Sequence, residues 1–117
     1  MGQGAPSILL VEDDPALRLL CRVNLELERF SVREAATVGE ARREVAGARP
    51  SLVFLDIHLA EGSSDELLDE LRADGIPVVL VTGAVDLDVY RDRAAEVLGK
   101  PFSPEALVAT ARRLTVG

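Results

Sequence analysis

The feature that most constrains the fold of this chain is a regular alternation of short apolar runs with longer amphipathic segments. Continuous apolar runs end at residues 11, 55 and 81, and each has the length of a strand buried on both faces. Residues 31–35 and 96–99 predict two weaker strands. Strands that alternate with helices favour βαβ units. We therefore expect an α/β fold with a parallel sheet, right-handed crossovers and helices on both faces.

The first and last helices have clear start signals. Asp14 can accept hydrogen bonds from the first turn, and Pro15 suits the first helical position because its missing N–H needs no partner there. This predicts a helix that ends near Arg29. Ser103 followed by Pro104 begins the last helix, which reaches about residue 114. Four side chains of the first helix are expected to face the core: Leu17, Leu20, Cys21 and Leu25.

Two inner segments carry similar signals. Thr37 followed by Glu40 is a capping box, which predicts a helix through about residue 46. Either Ser63 or Ser64 caps a helix over residues 65–73.

Size and composition limit the function classes. The chain has 117 residues, which suits one domain, expected over residues 7–117 after a disordered tail at residues 1–6. Its one cysteine excludes a disulfide framework and a multi-cysteine zinc site. The net charge of −7 argues against nucleic acid as a direct partner. No apolar run approaches the roughly 18 residues of a membrane span, so we expect a cytoplasmic protein without a membrane partner.

Polar residues follow the apolar runs at the points where the predicted strands end. Glu12 and Asp13 follow the first strand, Asp56 the third, Thr82 the fourth and Lys100 the fifth. The carboxyl ends of parallel strands lie on one edge of a sheet, so these side chains should meet in one pocket. Clustered carboxylates repel one another, and a hard divalent cation such as Mg²⁺ relieves that repulsion.

A lysine and a hydroxyl beside such a site indicate a phosphoryl group, for which an aspartate can act as the nucleophile. The chain has no P-loop motif. The phosphoryl group is therefore not expected to arrive on a conventionally bound nucleotide.

Four stretches together resemble the signature of the receiver domains of two-component response regulators. They are ILLVEDDP at 8–15, LDIHL at 55–59, VTG at 81–83 and LGKPF at 98–102. Each is a weak or moderate signal alone, but they occur in order and at predicted strand ends. The resemblance covers about residues 7–114. It implies a flavodoxin-like (βα)₅ receiver fold with a parallel five-stranded sheet of order 2-1-3-4-5.

The resemblance also implies roles for individual residues. Asp56 is the implied phosphoacceptor, Thr82 and Lys100 contact the phosphoryl oxygens, and the bond before Pro101 is cis. The implied Mg²⁺ ligands are Glu12 through a bound water, Asp13, Asp56 and the backbone carbonyl of His58. The implied donor is a sensor histidine kinase or a histidine phosphotransfer protein, and a downstream protein receives the signal. Beyond self-phosphorylation and self-dephosphorylation, no enzyme activity is implied.

The sequence departs from the family pattern after the phosphoacceptor. Asp56 and Thr82 are 26 positions apart, and Thr82 and Lys100 are 18 apart, both several residues fewer than in common receivers. This predicts a reduced or irregular fourth helix. Gly83 after Thr82 is similar to a receiver subgroup with a Thr-Gly turn and a reduced fourth helix. Val97 stands where an aromatic is usual, so the common pairing of a threonine with a switching aromatic is absent.

The segment at residues 84–95 has few apolar anchors and is expected to be locally unstable. We hypothesise that phosphorylation orders it. Tyr90 is equally consistent with a substitute switch aromatic and with a surface or packing role.

Two other functions compete with a signalling receiver. Small phosphatases with an aspartate nucleophile resemble Asp-x-Asp after a strand, but His58 occupies the second position and the chain is too short for a lid domain. A degenerate receiver that acts only as a protein-binding platform should have lost Asp56, Asp13 or Lys100, and all three are present. The residues therefore favour the signalling receiver.

Overall fold

Strands and helices alternate throughout the described chain. The structure is a computed structural model that describes residues 5–59, 62–83 and 87–115. Its strands are β1 (Ser7–Val11), β2 (Ser31–Ala35), β3 (Leu52–Asp56), β4 (Val78–Gly83) and β5 (Glu96–Lys100). Its helices are α1 (Pro15–Leu27), α2 (Val38–Gly47), α3 (Ser64–Ala73), α4 (Leu87–Tyr90) and α5 (Pro104–Thr115). None of the helices in these ranges combines the length and the apolar character that a membrane span requires.

The five strands form one parallel sheet in the order β2-β1-β3-β4-β5, which confirms the predicted fold class. Val11, the last residue of β1, pairs with Leu55 of β3. Asp56 pairs with Val81, and Lys100 pairs with the last residue of β4. The strands therefore end close together, and their last residues meet the residues that follow β1 at one edge of the sheet.

Two apolar cores lie on the two faces of the sheet. Successive strand residues point to opposite faces, so β1 contributes to both cores. Leu9 and Val11 pack in the core that is covered by α2 and α3. Ile8 and Leu10 pack in the other, covered by α1 and α5. Burial on both faces explains why β1, β3 and β4 are continuous apolar runs.

Helix α1 differs from its predicted form in one side chain and in length. Cys21 and Leu25 are buried as expected, and Leu17 packs against the same core. Leu20, predicted to face inward, is 48% exposed. One residue of a helix is a turn of about 100°, so Leu20 lies beside the face that Cys21 and Leu25 bury. The helix ends two residues before Arg29, which has a positive φ of 73°.

The helix caps agree with the sequence patterns. Asp14 accepts a hydrogen bond from the amide of Ala16 at 3.0 Å, and Thr37 accepts one from Glu40 at 3.1 Å. Of the two candidate serines before α3, Ser63 is the cap, while the next serine is the first helical residue. The second serine is thus available for another contact.

In the part of the chain that the structure describes, helix α4 spans four residues, Leu87–Tyr90, which agrees with the predicted reduction. The part of the 84–95 segment that the structure describes is better anchored than the sequence suggests. Tyr90 and Ala94 pack against the core beneath α3. Arg93 binds Asp65 at 3.0 Å and Asp69 at 3.2 Å, both on α3. Residues 84–86 lie outside the described residues, as do residues 1–4 of the predicted tail.

Gly62 is required by close packing where the chain enters α3. Its φ is +86°, and a Cβ there would lie 2.6 Å from the Cβ of Val38, a buried residue of α2. We expect Gly62→Ala to lower the free energy of unfolding by about 2 kcal/mol, because strain and overlap add. Gly47→Ala, whose new Cβ meets nothing within 4 Å, should raise it by about 0.5 kcal/mol. Urea titration checks both, and equal effects would contradict this packing argument.

Candidate functional site

Three carboxylates meet at the carboxyl edge of the sheet. Glu12, Asp13 and Asp56 each place an oxygen within 4.8 Å of the others. Strands β1 and β3 end at neighbouring positions in the sheet, because Val11 pairs with Leu55, and this brings the three carboxylates together. Glu12 and Asp56 are buried, and Asp13 is half-buried. The structure thus places these residues together as the sequence predicted.

Glu12 is a buried carboxylate whose pKa departs from its ordinary value. Burial raises the pKa of Glu12 above its ordinary value. The N–H of Asp14, which donates to Oε2 at 3.0 Å, favours the ionised form and opposes that rise. The negative charge of Asp56 raises the pKa further, and the nearby Lys100 lowers it. An additional cation at this edge would stabilise the ionised form.

Lys100 lies between two of the three carboxylates. Its Nζ is 3.3 Å from Oε1 of Glu12 and 3.3 Å from Oδ2 of Asp56. Burial alone would lower the pKa of Lys100, but the charges of Asp56 and Glu12 outweigh it and raise the pKa. The ammonium group is therefore charged at neutral pH. The Lys100–Pro101 bond is cis, as the resemblance implied.

The side chain of Asp56 is held by its own loop. Oδ1 accepts a hydrogen bond from the backbone N–H of His58 at 2.9 Å. Oδ2 is the oxygen nearest to Lys100. His58 itself is exposed, and the metal-ligand role of its carbonyl stays a prediction. The two carboxylate oxygens thus face different surroundings, one the loop amide and the other the lysine.

Thr82 completes the predicted set and is fully buried near the end of β4. Val81 is the partner of Asp56 across β3 and β4, so Thr82 lies one residue beyond that pair. Gly99 of β5 is its partner on the other side. This register puts the hydroxyl-bearing residue at the same edge as the carboxylates, while its contact with a phosphoryl group stays a prediction.

The donor set at this edge suits Mg²⁺. Glu12, Asp13 and Asp56 offer only carboxylate oxygens, and no histidine or cysteine belongs to the group. Hard divalent cations prefer oxygen ligands, and Mg²⁺ usually takes one or two carboxylates together with waters and phosphate oxygens. The residues present therefore fit this ion.

Two further residues contact the site and were missed in the sequence. Arg18 of α1 donates from Nη1 to the backbone carbonyl of Glu12 at 2.8 Å and from Nε to Glu34 at 2.7 Å. Ser64 donates from Oγ to the backbone carbonyl of Asp56 at 2.9 Å. The paired serines before α3 are a partial signal, because only one of them can cap the helix. No pattern in the sequence indicates Arg18.

Comparisons with known proteins agree with this geometry. A family model described as "Response regulator receiver domain" matches residues 8–112. The nitrogen assimilation regulatory protein NtrX of Azorhizobium caulinodans is 34% identical over 117 residues, covering 93% of this chain and 26% of the relative. The DNA-binding response regulator MtrA of Mycolicibacterium smegmatis is 36% identical over 110 residues, covering 90% and 48%. The chain thus spans a quarter to a half of these relatives.

A solved structure shows the same likeness in three dimensions. The receiver domain of NtrX from Brucella abortus superposes with a TM-score of 0.86 at 29% identity, covering 92% of this chain and 97% of that one. A parallel sheet in this strand order, with carboxylates at its carboxyl edge, is the arrangement expected of a response regulator receiver. The chain belongs to the response regulator receiver domain family. Receivers of this family use Mg²⁺ at an acidic site and interact with histidine kinases or phosphotransfer proteins.

Proposed function

We propose that this chain accepts a phosphoryl group on Asp56, in a Mg²⁺-dependent reaction, and thereby changes its binding to a downstream protein. The phosphoryl donor is a sensor histidine kinase or a histidine phosphotransfer protein. One observation carries the proposal: Oδ2 of Asp56 lies 3.3 Å from the Lys100 ammonium, in a group with two further carboxylates. The nucleophile, the metal ligands and the phosphate-binding cation are then all adjacent.

The transfer forms one bond to phosphorus and breaks another. A carboxylate oxygen of Asp56 forms a bond to phosphorus, and the bond from phosphorus to the donor nitrogen breaks, so that the electron pair leaves with the donor. Mg²⁺, when bound, neutralises negative charge on the transferring group. Lys100 binds a phosphoryl oxygen, Glu12 and Asp13 hold the ion, and the loop amide of His58 orients Asp56. The remaining contact, from Thr82, fixes a second phosphoryl oxygen.

The same site is less suited to the competing phosphatase function. A phosphatase of the Asp-x-Asp type needs an acid two residues after the nucleophile, and here exposed His58 contributes its backbone N–H to Asp56. We infer that the chain acts as a signalling switch in the cytoplasm rather than as an enzyme. The four-residue α4 and the Thr82–Gly83 pair support a place in the Thr-Gly receiver subgroup.

The surface beside the site supports a protein donor. Helix α1 begins next to the acidic group, directly after Asp14. It carries exposed apolar side chains along its length: Leu19, Leu20, Val23 and Leu27. A donor that brings a phosphohistidine to Asp56 covers this end of the sheet, and the exposed side chains of α1 then pack against it.

The proposal is tested by phosphorylation with a small donor such as acetyl phosphate. In the presence of Mg²⁺, wild-type protein should gain the mass of one phosphoryl group, and EDTA should prevent the gain. Asp56→Asn, nearly equal in size, should gain none because the amide is not a nucleophile. Intact-mass spectrometry measures both. Equal labelling of wild type and Asp56→Asn would refute Asp56 as the acceptor.

A further inference from the structure

The phosphoacceptor has a second tether besides the loop amide. Ser64, the first residue of α3, is only 6% exposed, and its hydroxyl donates to the backbone carbonyl of Asp56 at 2.9 Å. The β1–β3 ladder stops at the pair Val11–Leu55, so Asp56 lies one residue beyond it. The hydrogen bond therefore holds the end of β3 at a point where pairing with β1 has ended.

Ser64 is not the residue that caps α3, so its burial and its hydrogen bond have another role. Ser63 is the N-cap of α3, and its hydroxyl accepts from the amide of Glu66 at 3.2 Å. Ser64 instead points back to the strand, across eight positions of sequence. A buried hydroxyl needs a partner, and so does a buried carbonyl. Each satisfies the other here, and the bond fixes the Asp56 main chain relative to α3.

We propose that Ser64 is a positioning residue for phosphoryl transfer, which rests on the function proposed above. Its hydroxyl fixes the backbone of Asp56, and hence the direction in which the carboxylate meets the Lys100 ammonium. Small displacements of a reacting group slow a reaction strongly, and a shift of about 1 Å can cost about 100-fold in rate. Loss of the Ser64 hydroxyl should permit a smaller shift than that, with about a tenfold lower rate of phosphorylation.

The test compares variants that separate positioning from stability. Ser64→Ala removes the hydroxyl, Ser64→Cys keeps its approximate size with a weak donor, and Ser64→Thr keeps the hydroxyl. Ser63→Ala is the matched control, since it removes the hydroxyl that caps α3 and leaves the bond from Ser64 to Asp56 in place. Phosphorylation by acetyl phosphate is followed by intact mass at varied donor concentration, and unfolding free energy is measured in urea without Mg²⁺.

At saturating donor and Mg²⁺, Ser64→Ala and Ser64→Cys should react about tenfold more slowly, with an unchanged KM for acetyl phosphate. Ser64→Thr should react within about threefold of wild type. Ser63→Ala should be destabilised yet react at the wild-type rate. The carbonyl carbon resonance of Asp56 should shift in Ser64→Ala and Ser64→Cys but not in Ser63→Ala.

Wild-type rates in Ser64→Ala or Ser64→Cys would overturn the proposal, as would a loss in Ser63→Ala equal to theirs. If Ser64→Ala does not fold, Ser64→Cys and Ser64→Thr decide the question. These outcomes are distinct from failure of the proposed function, in which wild type itself is not phosphorylated or Asp56→Asn is labelled as well as wild type.

Discussion

Replacing Lys100 by glutamine is expected to slow phosphorylation of Asp56 about 100-fold. Removal of one preorganised group that stabilises charge in a transition state typically costs about 100-fold to 1,000-fold in rate. Lys100 is held 3.3 Å from Oδ2 of Asp56, the group that receives the phosphoryl group in the proposed function. Glutamine can offer a hydrogen bond there but no charge. The initial rate with acetyl phosphate and Mg²⁺, followed by intact mass, measures the effect.

The same variant separates the role of the lysine from that of the metal ligands. Removal of the cation beside Glu12 and Asp56 makes the net charge of the site more negative. Lys100→Gln should therefore bind Mg²⁺ at least as tightly as wild type. Arg42→Gln is the control, because it removes an equal charge from an exposed pair with Glu70. It should leave the rate unchanged. A Lys100→Gln protein that reacts at the wild-type rate would show that the lysine does not bind the transferring group.

Mg²⁺ is expected to raise the Tm of the wild-type protein. In Asp13→Asn this rise should be much smaller. An ion that binds only the folded state adds about 2.7 kcal/mol at one hundred times its Kd. For a chain of this size that corresponds to a rise of about 10 °C in Tm. Without Mg²⁺, Asp13→Asn should melt about 4 °C higher than wild type, because about 1 kcal/mol of repulsion with Glu12 and Asp56 is removed. Thermal unfolding at graded Mg²⁺ concentrations measures both effects.

Asp14→Asn provides a control at the adjacent position. Asp14 caps α1 through Oδ1, and asparagine caps a helix about as well. This variant removes one negative charge outside the three-carboxylate group, so its response to Mg²⁺ should remain that of wild type. If Asp13→Asn keeps the full rise in Tm, Asp13 is not a main ligand.

The sheet and its functional edge could be predicted because their signals are local. The run that ends at Val11 and the run that ends at Leu55 are apolar at every position, as strands buried on both faces must be. Each run is followed at once by an acidic residue. Parallel pairing then brings Glu12, Asp13 and Asp56 together without any knowledge of the individual contacts.

The features that could not be predicted depend on contacts between distant segments. Leu20 was expected to be buried, but α1 is apolar around much of its surface, so periodicity alone does not select the face that meets the sheet. Arg93 is anchored by Asp65 and Asp69, which lie 28 and 24 positions away. The hydrogen bond from Ser64 to the Asp56 carbonyl depends on where α3 starts relative to β3. From the sequence alone, either serine of the pair could be the cap of α3.

Chemical mapping of the phosphorylated residue tests the central claim most directly. Borohydride reduces an aspartyl phosphate to homoserine, which marks the modified position by its mass. After reaction of wild type with acetyl phosphate and Mg²⁺, peptide sequencing by mass spectrometry should find homoserine at position 56 and nowhere else in the chain. Homoserine at position 13, modification of another residue, or no homoserine in protein that has gained a phosphoryl group would contradict Asp56 as the phosphoacceptor.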